Sequence, residues 1–312
     1  MSRHREGDKN LMSVALNLDN LYAAWKQVRE KHGAPGGDLI SLERFGRHLE
    51  LNLLHLAERV QSGNYQPGKV RLVSVRTGQK TREIAVWCVA DRVLQRSVLQ
   101  VIDPLFERSF LPSSFGYRQN RSVGDAVARI LRLRDDGHVW VVDADIRECF
   151  PSLNHELILS LLRQRIMDQD LLDLIALWLP YGRSRIARRS GQSCGISLGA
   201  VISPLLCNVC LHELDLGLRK QGLQSVRYAD DFVILCCTRE ERYSALESAM
   251  AILKMLHLEM NTEKTRLVNF EEGFSFLGVA FKDRKYYYIW HDKTVEATDR
   301  GETFPLEVDG YR

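Results

Sequence analysis

Apolar residues recur at helical spacing in LNLDNLYAAWKQVREKH (16–32), through Leu18, Leu21, Tyr22, Trp25 and Val28, and GAPGG ends the pattern. LERFGRHLELNLLHLAERVQSG predicts a second amphipathic helix, closed by Gly63. Two β-rich runs around Thr77–Gly78 in KVRLVSVRTGQKTREIAVWCV predict a hairpin. A helix is expected from about Ala90 to Val101, then a strand over HVWVVDADI and a helix over NHELILSLLRQRI with Asn154 as its N-cap. An arginine-rich hairpin leads into a helix from about Ser203. RYADDFVILCC then reads as a hairpin, ERYSALESAMAILKMLHLEM as a helix, and FSFLGVAF and KYYYIW as the last strands. Strands and helices mix without a βαβ rhythm, which makes the fold class α+β.

One hairpin breaks the pattern. SVRYADDFVILCC carries Asp230 and Asp231 side by side in an apolar run, where each ion loses water. Successive strand residues face opposite sides, so the two acids converge only at a tight hairpin tip. Asp145 ends another apolar strand in VWVVDADI. Carboxylates brought together repel unless a cation neutralises them. Magnesium suits such a site, because it takes hard oxygen ligands and substrate phosphates. Two such ions can drive in-line displacement at phosphorus, the chemistry of polymerases and nucleases. Turn residues or salt-bridge partners are the plainer reading of two isolated acids, and the neighbouring sequence decides against it.

Composition narrows the setting. The 312 residues suffice for one large domain or two to three joined subdomains, and 45% hydrophobic with 27% charged residues describes a globular chain. No apolar run reaches membrane-spanning length and the first residues hold no signal-peptide core, so a cytoplasmic protein without a membrane partner is expected. Cys207 and Cys210 form a lone C-x-x-C without a second ligand pair, read as small apolar residues one helical turn apart. Net charge is only +3, but YGRSRIARRSGQ gathers Arg183, Arg185, Arg188 and Arg189 without an acid. It is a solvated loop or a phosphate-contacting hairpin.

YADD at 228–231 resembles the catalytic box of reverse transcriptases, and further blocks follow in that family's order from about residue 20 to 282. WKQVREKHGAPGGD, REIAVWCVADRVLQRSV and SFGYRQNRSVGDAV precede DADIRECFPSLNHELIL, GISLGAVISPLLCNVCLHELD, LEMNTEKTRLV and FLGVAF. The chain is identified by them as similar to bacterial reverse transcriptases of the group II intron-like type, including retron, CRISPR-associated and defence relatives. The resemblance implies a right-hand polymerase with fingers and palm, whose antiparallel palm sheet carries the aspartates. It implies RNA-directed DNA synthesis from deoxynucleoside triphosphates on a DNA or RNA primer, with two Mg2+ ions for which Mn2+ can substitute.

The resemblance also assigns roles. Asp145 and Asp230 would be the main metal ligands, the Ile146 carbonyl would assist, and Asp231 would be the less direct acid. Asp143 is a weaker candidate at a position where the family varies. Phe150 stands where the family has an aromatic gate against a 2′-hydroxyl. Arg76 and Arg82 match triphosphate-gripping positions, with the hairpin one residue longer than usual. Lys264 falls where a lysine protonates departing pyrophosphate. Leu198 and Gly199 belong to the nucleotide-binding block, and Arg118, Arg121, Tyr228, Leu277 and Gly278 join the arginine cluster as nucleic-acid contacts.

Two departures matter. The helix block commonly reads P-Q-G, and here Ser197–Leu198–Gly199 puts an apolar side chain where an amide would hydrogen-bond. Residues 283–312 leave room for a β-hairpin and a tail, so the thumb is expected to be reduced or absent and a partner protein or structured RNA to supply the grip. The corresponding division is 1–135 fingers, 136–282 palm and 283–312 C-terminal hairpin. The setting implied is a bacterial defence, retron or CRISPR-associated system. Template-independent or protein-primed DNA synthesis, and an inactive nucleic-acid-binding subunit of an integration or defence complex, are the alternatives.

Overall fold

The first helices form where the apolar spacing puts them. In the computed structural model, which describes residues 10–77, 80–183, 193–290 and 293–296, α1 (Leu11–Leu16) is followed by α2 (Leu18–Glu30). Asn17 caps α2 by accepting from the Asp19 amide. Leu21, Ala24, Trp25 and Val28 of α2 pack with Phe45, Leu53, Val89 and Val93. The single helix expected over residues 42–63 is instead two, α3 (Leu42–Gly46) and α4 (Leu49–Gln61). Gly46 lies against the Trp25 ring, His48 leaves the helical region, and the Asn52 amide takes the freed Phe45 carbonyl at 2.8 Å. Side-chain bonding thus replaces one missing helical bond.

These elements belong to a unit made of Met1–Phe110, Arg147–Leu214 and Leu253–Glu259. It also holds the hairpin of β1 (Arg71–Thr77) and β2 (Lys80–Val86), as expected. Helix α5 (Val89–Glu107) runs beyond the expected end and absorbs Pro104 in its last turn.

The second unit consists of Leu111–Ile146, Asp215–Ile252 and Met260–Arg312. Helix α6 (Val123–Asp135) opens with a capping box between Ser122 and Asp125. Strand β3 (Trp140–Ala144) follows. In the first unit come α7 (Cys149–Ser152), α8 (His155–Arg163) and α9 (Gln169–Trp178), with Asn154 capping α8 as predicted. Helix α10 (Ser203–Lys220) leads to β4 (Gln224–Tyr228) and β5 (Asp231–Cys236), then α11 (Arg239–Met255). The last of these stops short of the expected residue 260. His257 adopts φ +58, and the Leu258 and His257 amides bond back to Leu253 and Lys254, a Schellman-type ending. That turn frees residues 266–269 for strand β6 (Arg266–Asn269).

Strands β4, β5, β3 and β6 form one antiparallel sheet in that order. A second has the order β10-β9-β8-β7, from β7 (Phe274–Phe276), β8 (Val279–Lys282), β9 (Lys285–Trp290) and β10 (Lys293–Glu296). Val141, Val226, Val233 and Leu235 share a buried cluster with α6 and with Phe270, Phe274 and Phe281. Among the described residues no helix is long and apolar enough to cross a membrane.

Candidate active site

Register assembles the acids. Ala144 of β3 faces Phe232 of β5, and Tyr228 faces Asp231 across the β4–β5 turn. One step further along β3 brings Asp145 level with Asp231 at the hairpin tip. Asp143, Asp145 and Asp231 fall on the same sheet face by two-residue alternation. Asp230 lies in the turn itself, after Ala229 at φ +57, while Asp231 already stands in β5 opposite Tyr228.

Burial and crowding both act on these carboxyls. Burial first, then repulsion from Asp230, Asp145 and Asp143, pushes the Asp231 carboxyl up to about 6, with Lys264 pulling the other way. Burial also raises Asp143 to about 6, with Asp145 adding to it, while Arg266 opposite on β6 lowers it. Asp145 Oδ2 accepts from Lys264 Nζ at 2.6 Å and from Asn261 Nδ2 at 3.0 Å. Among the described residues no group of three or more His, Cys, Asp or Glu side chains is gathered closely enough to hold a metal ion. The donor chemistry nonetheless fits a hard divalent cation. The crowded donors are carboxylate oxygens, and an ammonium already sits on one of them. Ile146 pairs with Met260 while the flanking Asp145 carbonyl accepts the Asn261 amide. The Ile146 carbonyl therefore points away from that partner strand.

Other expected contacts in this unit have mixed surroundings. Arg118 is buried, and its Nη1 donates to the Leu111 and Ser114 carbonyls at 2.7 Å each. Arg121 is exposed, 5.7 Å from the Phe115 ring. Tyr228 packs partly buried on the sheet cluster, as does Leu277. Leu277 and Gly278 both take positive φ, 53° and 74°, in the two-residue turn between β7 and β8.

The first unit organises a different set. Phe150 is 9% exposed, and its carbonyl accepts the Ile196 amide at 2.9 Å. Next along, Ser197 Oγ accepts from Trp87 Nε1 at 2.9 Å, and the Leu198 carbonyl accepts the Ala85 amide at 2.7 Å. Gly199, at φ +111, lies so close to Ala85 that a Cβ would meet its carbonyl oxygen. The Ser197–Leu198–Gly199 segment is thereby fastened to β2, the strand that carries Arg82. Arg76 and Arg82 are both exposed, but their partners are Thr81 and Val75. Cross-strand partners share a face, so the two arginines lie on opposite faces of the ribbon. Arg183 Nη1 donates to the Cys194 carbonyl at 3.0 Å. Arg185, Arg188 and Arg189 lie outside the described residues.

Three residues escaped the sequence reading: Asn261 on Asp145, Arg266 opposite Asp143, and Arg227. The last is fully buried and bonded to Asp215, Ser114 and Ala229. Its signal was a charge inside an apolar strand, one residue before YADD.

An antiparallel sheet with acids at a hairpin tip, in an α+β chain, is a polymerase palm. Telomerase from Candida albicans is similar in fold, with TM-score 0.51 and 13% identity over 77% of this chain and 51% of that one. Residues 75–281 match the family "Reverse transcriptase (RNA-dependent DNA polymerase)", and the chain belongs to it. Among its relatives is protein YkfC of Escherichia coli, 28% identical over 78% of this chain and 74% of that protein. Another is the group II intron-encoded protein LtrA of Lactococcus lactis, 27% identical over 66% of this chain. That match spans only 34% of LtrA's own length.

Proposed function

We propose that this chain extends a primer 3′-hydroxyl with deoxynucleoside triphosphates on an RNA template. The observation that carries the reading is the register bringing Asp145 level with the Ala229–Asp231 tip, where burial and then repulsion among the acids lift Asp231 to about 6. Two Mg2+ ions, or Mn2+ in their place, held by Asp145, Asp230 and the Ile146 carbonyl with Asp231 in support, would supply the Lewis acidity for in-line displacement at the α-phosphorus. In that displacement the primer 3′-hydroxyl gives its proton to solvent, its oxygen forms the new bond to the α-phosphorus, the bond from that phosphorus to the α–β bridging oxygen breaks, and pyrophosphate leaves.

The protein's own groups bind, orient and protonate. Lys264, released from Asp145 Oδ2, donates its proton to the departing pyrophosphate. Arg76 and Arg82 are the phosphate-holding residues, and their opposite faces suit one of them to the triphosphate and the other to a strand backbone. Phe150 excludes the 2′-hydroxyl, and Leu198 and Gly199 border the nucleotide. Arg121, Arg183, Arg185, Arg188, Arg189, Tyr228, Leu277 and Gly278 form the nucleic-acid contacts, whereas Arg118, buried with its Nη1 on the Leu111 and Ser114 carbonyls, holds that backbone instead.

The bacterial setting is part of the proposal. A defence, retron or CRISPR-associated system, with a structured RNA or partner protein, is supported by the departure from P-Q-G at Ser197–Leu198–Gly199. The same leucine favours one second reading, synthesis without template or with a protein primer, because its side chain offers no hydrogen bond to hold a templated pair. Incubation with deoxynucleotides alone separates the two, since only the second yields sequenceable product. The main test is primer extension on RNA with Mg2+. Wild type extends and Asp230→Ala does not; equal extension by both overturns the assignment.

A further inference from the structure

The strand entering the acid tip has a guanidinium buried in it. Arg227 faces away from the side that carries Asp231, since it pairs with Phe232 while Tyr228 pairs with Asp231. Its Nε and Nη2 donate to the two oxygens of Asp215 at 2.8 and 2.7 Å, and both side chains are about 1% exposed. Nη2 also donates to Ser114 Oγ at 2.7 Å, and Nη1 to the Ala229 carbonyl at 2.8 Å. The Arg227 backbone is fixed as well: its amide donates to the Ser113 carbonyl and its carbonyl accepts the Phe115 amide, both at 2.8 Å.

A buried ion pair is a poor way to gain stability, because desolvation of the two charges offsets their attraction. What this pair supplies is direction. Ala229 adopts φ +57, a left-handed conformation that an alanine holds only when its surroundings over-determine it. Two contacts do so. Arg227 Nη1 grips the Ala229 carbonyl, and Gly116 lies so close to the Ala229 amide that a Cβ there would overlap it. The next residue is Asp230.

We propose that Arg227, oriented by Asp215 and Ser114, is a positioning residue that locks the Ala229 turn and thereby sets where the Asp230 carboxylate stands relative to Asp145. The functional part rests on the polymerase reading above; the locking of the turn does not. The planar fork is essential, since it meets Asp215, Ser114 and Ala229 at once from three nitrogens. A lysine retains the charge for Asp215 but has one nitrogen to share.

Arg227→Lys tests this, read by hydrogen exchange of the segment spanning 224–236 and by thermal melting, Mn2+ binding calorimetry and primer extension against Mg2+ concentration. The variant melts as a folded protein, exchanges faster in that segment, and loses about 10- to 100-fold in metal affinity, as when a residue supporting metal ligands is removed. Its KM for deoxynucleotide at saturating metal stays near the wild-type value. A folded variant with wild-type exchange and wild-type metal dependence overturns the proposal. Should Arg227→Lys not fold, the double variant Asp215→Leu with Arg227→Met removes both charges together, and the same two outcomes decide. If the wild-type protein extends no primer, the polymerase reading falls while the exchange comparison still decides whether Arg227 locks the turn.

Discussion

At the residue scale, Phe150 shows how backbone and side chain divide their work. Its carbonyl is tied to Ile196, in the segment that continues to Leu198 and Gly199, so the ring's position is set by a loop distant in sequence. Phe150→Val keeps an apolar branched side chain but shortens its reach. Ribonucleotide use relative to deoxynucleotide should rise, by up to about a hundredfold, the range in which an apolar wall discriminates against one hydroxyl. Competitive incorporation measures it, and an unchanged ratio removes Phe150 as the gate. The acids stood out in the sequence because carboxylates are unusual inside or at the end of an apolar strand, whereas Phe150 was singled out only by its place in the family's motif order. Asn261 and Arg266 did not stand out, since an Asn or Arg near a strand end is ordinary until its partner is known. Arg227 was conspicuous but had no visible partner, as Asp215 lies on a helix and Ser114 in a different block.

At the element scale, the start of α8 is fastened by a histidine. His155 Nε2 lies 2.8 Å from the Gly195 carbonyl and Nδ1 3.3 Å from Ser193 Oγ, an arrangement served by a neutral ring with its proton on Nε2. Burial, and Arg183 nearby, lower its pKa from 6.5, against the Gly195 bond. A base with a depressed folded pKa contributes stability that is present above the unfolded value and lost as pH falls through the folded one. Unfolding free energy should therefore drop below pH about 6.5 more steeply in wild type than in His155→Gln. Parallel denaturant titrations across that range measure this, and identical slopes refute it. Periodicity found α2, α8, the β1–β2 hairpin and the β4–β5 hairpin. It missed the break at residues 47–48 and the early end of α11, because Gly46 against Trp25 and His257 at positive φ are decided by packing rather than by apolar spacing.

At the scale of the whole molecule, the net charge of +3 is small, so affinity for phosphate must come from where charge is concentrated. The same holds for cations: the acid tip is a local negative spot in a slightly basic chain. A cation that binds the folded state alone stabilises it by mass action, about 2.7 kcal/mol at a hundred times its Kd. Mn2+ should accordingly raise the melting temperature of wild type, and Asp230→Ala should lose that rise. Equal shifts in both proteins would place the ion elsewhere.

Local order was written in the chain: the α+β class, the strands that end in acids and the reverse transcriptase motifs in sequence. These depend on residue type and short spacing, which act over one or two turns of backbone. Tertiary structure alone decided which side chains meet. Each of the two compact units draws on three stretches separated along the chain. Lys264 on Asp145 and Arg227 on Ser114 follow from packing between segments more than a hundred positions apart, and Arg76 and Arg82 on opposite faces from hairpin register. No periodicity carries that information, because a contact between residues a hundred positions apart is selected by the whole core rather than by either neighbourhood.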